Sequence, residues 1–304
     1  MENKYIAQAN KGKTDAWRYV VGIVFVIVGC GLFSLPHSWA IRKKVSLEEV
    51  DSLRLDDIAY VFSLFDNNTT LVYIMLPFMG GLLALCFIVY KLHRLSWIHL
   101  TTSRNQIDFK RILFSFSVWG SISAIVILLG VFVSSETLVL NFKAEKFAIL
   151  FIIAIVLVPI QTSFEEYVFR GYLMQGLGLV SKTNWFPLLI TSITFGLMHL
   201  GNPEVGKLGN GIMVFYIGTG LLLGIITLMD EGMELSLGFH AANNLVTALL
   251  VTTDWTAFQT HAVFKDFSTP NLLAELSVMA VLYPLLLLLF AKKYNWKNWK
   301  EKLI

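Results

Sequence analysis

Charged residues are scarce in this sequence and make up 15% of its 304 positions, against about a quarter in a typical soluble domain. Hydrophobic residues make up 56%, and the mean hydropathy is +0.65. This composition excludes an ordinary soluble domain and predicts a membrane protein. The net charge of +3 is too small to indicate nucleic-acid binding.

Proline is also scarce, with 7 residues, and the long apolar runs lack the period-two alternation of a membrane-spanning strand. Both features favour spanning helices. Cysteine is limited to Cys30 and Cys86, which both lie in apolar runs. Two isolated thiols provide neither a disulfide framework nor the spacing of a zinc site, so we expect them to behave as small hydrophobic side chains.

Eight apolar segments are long enough, or nearly so, to cross a bilayer, which takes about 20 residues of helix. They lie at approximately residues 18 to 39, 70 to 91, 112 to 134, 147 to 178, 185 to 200, 211 to 229, 233 to 252 and 271 to 291. The fourth segment is overlong and the fifth is short. We predict an all-α fold, a polytopic transmembrane helical bundle of about eight spans, with residues 1–304 as a single integral membrane domain.

The distribution of Lys and Arg predicts the orientation of the bundle. If the N-terminus is cytoplasmic, the inner segments hold 15 of these residues and the outer segments hold 8. Positive residues concentrate on the cytoplasmic side, so we predict cytoplasmic N- and C-termini in a multi-pass protein of the bacterial cytoplasmic membrane. The tail from Tyr294 fits an interfacial anchor and a solvated basic tail equally well.

Three charges interrupt the apolar fourth segment, in the stretch SFEEYVFRGY at residues 163 to 172. An ionisable group inside a span costs about 2.5 to 3.5 kcal/mol on insertion scales and normally has a partner. Glu166 and Arg170 are four residues apart, so they can form an ion pair on one helical face. Glu165 is rotated by about 100° from Glu166 and is left without an obvious local partner.

Polar residues interrupt two later segments as well. His199 ends the fifth, while His240 and Asn244 share a face of the seventh. Glu165 and His199 lie symmetrically about residue 182, which predicts equal depth in an antiparallel helix pair. A carboxylate and an imidazole at one depth can activate water, and a second imidazole with an amide can stabilise an oxyanion. Together these residues predict amide hydrolysis in a membrane cavity.

Three motifs occur in order along these segments: EEYVFR fits EExxxR, FGLMH fits FxxxH, and HAANN supplies HxxxN. In these motifs the sequence resembles the CPBP intramembrane proteases, which include type II CAAX prenyl endopeptidases and Abi-type proteins. The resemblance covers a predicted catalytic core at residues 145–250, whereas residues 1–140 carry no matching motif. It implies that Glu165 and His199 activate water and that His240 and Asn244 stabilise the oxyanion. It gives Glu166 and Arg170 a supporting role.

The implied activity is that of an intramembrane endopeptidase acting on a membrane-associated substrate, either a prenylated CAAX-type protein or a leader peptide. A glutamate and histidine mechanism without a cofactor is favoured, although Glu165, His199 and His240 are a donor set that zinc can use. Two other functions stay open. One is a proton-coupled secondary transporter, in which these residues form a relay, and the other is a non-catalytic membrane adaptor or immunity protein.

Overall fold

The structure, a computed structural model, describes residues 3–47, 52–55, 58–133 and 136–304, and these are mostly helical. Its helices are α1 Ala16–Ser46, α2 Ile58–Ser63, α3 Asn67–Phe87, α4 Trp97–Thr101, α5 Phe109–Val133, α6 Ala144–Glu166, α7 Met174–Ser181, α8 Trp185–Leu197, α9 Pro203–Leu208, α10 Met213–Asp230, α11 Glu234–Leu250, α12 Leu272–Tyr294 and α13 Trp299–Leu303. Short 3-10 helices lie at Ile6–Lys11, Ser52–Arg54 and Asn210–Ile212. The all-α prediction is confirmed.

Each of the eight predicted apolar segments coincides with a helix. Six helical stretches of the described chain are long and apolar enough to cross a membrane. The helices α8, with 13 residues, and α11, with 17 residues, are shorter. The chain is a multi-pass integral membrane protein.

The overlong fourth segment is one continuous helical stretch of 38 residues, Ala144–Ser181. Within it, α6 passes into a turn of π-helix at Tyr167–Leu173 and then into α7. A π-helical turn inserts an extra residue into the helix and is common at functional sites. Here it begins directly after the two adjacent glutamates of the EExxxR motif.

One face of the bundle joins the N-terminal segment to the C-terminal tail. The Asn3 side-chain amide donates hydrogen bonds to the carbonyl oxygens of Leu228, at 3.1 Å, and Lys302, at 3.2 Å. On the same face Arg104 and Arg111 form ion pairs with buried Asp230, at 2.9 and 2.5 Å. The segments on this face are the ones that the charge distribution predicts to be cytoplasmic.

The opposite face carries a small sheet of three strands, β1 Leu138–Leu140, β2 Val251–Thr252 and β3 Phe264–Asp266. The strand order is β1-β3-β2, with β3 antiparallel to β1 and parallel to β2. Beside it, Asp66 before α3 pairs with Lys146 of α6 at 2.5 Å and with His261 at 3.0 Å. The residues from 253 to 270, expected from the sequence only as a polar connection, therefore tie the ends of several helices together.

Glycines set the closest helix approaches around the site. A Cβ at Gly220 of α10 would lie 2.8 Å from the Ser192 carbonyl oxygen of α8. A Cβ at Gly238 of α11 would collide with the Ile112 carbonyl oxygen of α5. Small residues let transmembrane helices approach this closely, and the Gly220 carbonyl oxygen of α10 is also the one that Arg170 contacts.

Candidate active site

The predicted ion pair is present at the start of the π-helical turn. Arg170 Nη1 donates to Glu166 Oε1 at 3.0 Å, and both side chains are fully buried. Nη2 of Arg170 donates to the Gly220 carbonyl oxygen at 3.1 Å. The guanidinium therefore neutralises one glutamate and fixes the position of α10 against this helix.

Glu165 has a local partner that the sequence interpretation missed. Its Oε1 accepts a hydrogen bond of 2.7 Å from Nε2 of Gln161, four residues earlier on α6. Its Oε2 is buried and has no hydrogen bond to any residue that the structure describes. The two oxygens of this carboxylate are thus in different environments, one held by an amide and the other without a hydrogen bond.

His240 lies between the two glutamates. Its Nδ1 donates to Glu166 Oε1 at 2.8 Å, and its Nε2 lies 3.5 Å from Glu165 Oε2. Because the Glu166 carboxylate accepts this hydrogen bond, Nδ1 of His240 carries the proton. The other ring nitrogen, Nε2, faces Glu165. Helix α11 therefore brings His240 into contact with both glutamates of the EExxxR motif.

Asn244 reaches the same carboxylate indirectly. Its Nδ2 donates to Gln161 Oε1 at 3.0 Å, while its Oδ1 accepts from Asn243 Nδ2 at 3.0 Å. Trp119 Nε1 on α5 donates in turn to Asn243 Oδ1 at 3.1 Å. The hydrogen bonds therefore run in one direction, from Trp119 through Asn243, Asn244 and Gln161. The last acceptor in this series is the carboxylate of Glu165.

His199 lies close by but does not touch the glutamates. Its Nδ1 donates to the Phe195 carbonyl oxygen at 2.8 Å, and its ring stacks on Tyr216 with centroids 4.3 Å apart. Because Nδ1 carries the proton, Nε2 is the accepting nitrogen. Among the described residues it forms no ion pair with a carboxylate, so the predicted equal depth of Glu165 and His199 does not bring their side chains into contact.

Phe195, the first residue of the FxxxH motif, holds the two histidines and the arginine around one ring. Its centroid is 4.9 Å from that of His199 and 5.9 Å from that of His240. The Arg170 guanidinium lies over the same ring, 4.4 Å from the centroid, in a cation–π contact. The side chain thus connects α8 to both other motifs.

The sequence offers Glu165, His199 and His240 as a donor set for a zinc site. Among the residues that the structure describes, no three His, Cys, Asp or Glu side chains are placed together to hold a metal ion. Tetrahedral zinc needs its donors at about 2.0 to 2.3 Å from one centre, and Nδ1 of both histidines is already bonded, to the Phe195 carbonyl oxygen and to Glu166. This geometry does not fit a zinc site.

Comparison with known families identifies the segment that carries these motifs. Residues 144–246 match the family model described as "Type II CAAX prenyl endopeptidase Rce1-like". The resemblance to the CAAX-type proteases is confirmed. The Rce1-like segment runs from the start of α6 into α11 and contains all three motifs. The matched family is one of membrane proteases, and endopeptidase activity is what its members generally carry out.

A curated relative covers more of the chain. The uncharacterized protein YyaK of Bacillus subtilis (strain 168) is 28% identical over 243 residues, which are 80% of this chain and 80% of the relative. The similarity therefore reaches well outside the Rce1-like segment, although it brings no known activity with it.

Two further residues of the site, Gln161 and Phe195, could have been predicted from the sequence. Gln161 is a polar residue in an apolar run and stands four positions before Glu165, the spacing that places two side chains on one helical face. Phe195 is part of a motif already identified. Trp119 could not be found in this way, because its contact with Asn243 joins residues 124 positions apart.

Proposed function

We propose that the chain is an intramembrane endopeptidase in which Glu165 is the general base. Glu166 also has one buried oxygen without a hydrogen bond, but its charge is paired with Arg170. The observation that carries the proposal is that Glu165 has no arginine or lysine partner among the described residues. Gln161 holds one oxygen at 2.7 Å, and the buried other oxygen faces His240 Nε2 at 3.5 Å. A positioned base needs one fixed oxygen and one oxygen open to the proton that it takes.

In the proposed reaction, Oε2 of Glu165 takes a proton from a water molecule, and the resulting hydroxide attacks the carbonyl carbon of the scissile amide. The accepting Nε2 of His199 supports the same water by a second hydrogen bond. The proton held by Glu165 then passes to the leaving amine as the carbon–nitrogen bond breaks. The products are a new carboxyl group and a new amino group, so one water molecule is consumed.

The oxyanion formed in this reaction needs hydrogen-bond donors on the opposite side of the carbonyl. His240 can donate through Nε2 in its protonated form, with Glu166 holding Nδ1. Asn244 uses one amide hydrogen for Gln161 and has a second one to donate. Preorganised donors of this kind contribute about 10²- to 10³-fold to the rate.

The test compares the wild type with Glu165→Gln, which keeps the shape of the side chain but cannot take a proton. The probe is a farnesylated peptide with a C-terminal CAAX sequence, offered to the protein in lipid nanodiscs, and the release of the tripeptide is measured by mass spectrometry. We expect Glu165→Gln to lower turnover about 10²- to 10⁴-fold, with unchanged thermal unfolding. Equal turnover of the two proteins would overturn the proposal.

A second measurement covers a substrate that is not prenylated. Peptides extracted from membranes of cells that carry Glu165→Gln in place of the wild type are compared by mass spectrometry, and an uncleaved precursor should accumulate in the variant. If no precursor accumulates in cells whose phenotype depends on the protein, the chain acts as a binding protein and the proposal fails.

A further inference from the structure

A cavity of about 350 Å³ opens beside the active site, between α5, α9, α10, α11 and α12. It shares two walls with the site. Tyr216, which stacks on His199, lines it, and so does Asn243, which donates to Asn244. The cavity is therefore adjacent to two side chains that contact His199 and Asn244.

The charge of the cavity has one sign. Of the described residues that line it, Glu204 and Glu275 carry a formal charge, and none is Lys, Arg or His. Its wall is also rich in aromatic rings, which can face a cation. These rings belong to Trp119, Phe215, Tyr216, Trp255 and Tyr283.

Two side chains that line the cavity, Glu204 and Trp255, have a buried polar atom without a hydrogen-bond partner among the described residues. Of the two, Glu204 carries the formal charge. Its Oε1 accepts a hydrogen bond of 2.9 Å from the Ala257 backbone N–H. Its Oε2 is buried and has no hydrogen-bond partner among the described residues. Burial raises the pKa of Glu204, and the hydrogen bond from Ala257 and the nearby His199 oppose that rise. A cation at Oε2 would supply the missing partner of a partly desolvated carboxylate.

We propose that this cavity binds a cationic side chain of the substrate, lysine or arginine, with Glu204 as its counter-ion. The aliphatic part of such a side chain packs on the aromatic wall, and its charged end reaches the carboxylate. An acidic side chain is disfavoured there, because it would place like charges together in a partly desolvated space. The inference rests on the proposed function, since it names the substrate class of the same site.

The experiment measures binding rather than cleavage, in full-length Glu165→Gln protein in phosphatidylcholine nanodiscs. The probes are lauroylated penta-alanine amides in which a single lysine or a single norleucine is moved through the five positions. Norleucine has the length of lysine without its charge, and zwitterionic lipid removes general attraction to the membrane. Dissociation constants are compared with those of Glu165→Gln/Glu204→Gln and of Glu165→Gln/Asp254→Asn. Asp254 is the matched control, because it lies three residues before Ala257, which donates to Glu204, and it already pairs with Lys265 at 2.6 Å.

We expect lysine to bind about tenfold more tightly than norleucine at one position, which is about 1.4 kcal/mol. The preference should disappear with Glu204→Gln and persist with Asp254→Asn, while norleucine affinity and thermal unfolding stay unchanged in both. Absence of a lysine preference at every position, or a preference that survives Glu204→Gln, would overturn the inference. Because no turnover is needed, a failed cleavage assay leaves this result interpretable.

Discussion

Two adjacent glutamates lie in different surroundings, and we propose different roles for them. Glu166 is fully buried, and its Oε1 is bonded to both Arg170 and His240, so its charge is already matched although its Oε2 has no hydrogen bond among the described residues. Glu165 is held through one oxygen by Gln161 and has its other oxygen unpaired among the described residues. At the residue scale, the two surroundings differ because Gln161 lies four positions before Glu165 and Arg170 lies four positions after Glu166.

Gln161 is expected to act as a positioning residue for Glu165. The change Gln161→Leu removes the hydrogen bond to Oε1, and a hydrogen bond to a charged group contributes about 1.5 to 3 kcal/mol. We expect kcat to fall about 10- to 100-fold with little change in KM, because the carboxylate loses its orientation rather than its contact with substrate. Steady-state kinetics on the CAAX peptide measure both constants.

The control for Gln161→Leu is Thr162→Val at the neighbouring position. The Thr162 hydroxyl donates to the Val158 carbonyl oxygen of its own helix at 3.1 Å and does not contact the site. Thr162→Val should leave kcat within about twofold. A Gln161→Leu protein with wild-type kcat, or one with only its KM changed, would contradict the assigned role.

At the scale of elements, the π-helical turn depends on partners from outside its own helix. The Arg170 carbonyl oxygen lies 3.0 Å from the hydroxyl of Tyr5, which is also 2.7 Å from the Leu100 carbonyl oxygen. The Arg170 side chain bonds α10 through Gly220. Three separate parts of the chain thus hold the stretch that carries the glutamates.

Arg170 is expected to contribute mainly to stability. Removing one partner of a buried ion pair costs about 3 to 5 kcal/mol, so Arg170→Met should lower the thermal unfolding temperature strongly. The matched change Lys146→Met affects a pair that is nearly half exposed and should cost less than about 1 kcal/mol. Unfolding in detergent, followed by tryptophan fluorescence, compares the two.

The double change Glu166→Gln/Arg170→Met distinguishes the stability lost with the ion pair from the stability lost with the packing of the Arg170 side chain. It removes the unpaired buried charge, so part of the lost unfolding temperature should return. An Arg170→Met protein as stable as Lys146→Met would show that the pair does not hold this helix.

At the scale of the whole molecule, the sequence predicted the helices better than it predicted their ends. All eight apolar segments are helical because length and hydropathy are local properties. The segment at 185 to 200 ends three residues early, since α8 stops at Leu197 and His199 bonds back to Phe195. The sheet and the Trp119 contact depend on residues far apart in the chain, where no local pattern could indicate them.

The orientation of the bundle stays a prediction that labelling can test. In a protein whose two cysteines are replaced by alanine, single cysteines are placed at the exposed positions Asn10, Thr269 and Lys300. We expect an impermeant maleimide to label only Thr269→Cys in intact cells and all three after permeabilisation. Labelling of Asn10→Cys or Lys300→Cys from outside would reverse the predicted orientation, because both positions lie on the face opposite the sheet.

The bonds from Asn3 to Leu228 and to Lys302 bear on the order of folding. They join residues 225 and 299 positions apart, and contacts of such separation carry a large loop-closure cost and form late. Tyr5, two residues away, caps the carbonyl of the π-helical turn only once this segment has docked. The bond to Lys302 can therefore form only after the chain has been made as far as that residue, and the contact of Tyr5 with the π-helical turn depends on the docking of the same segment.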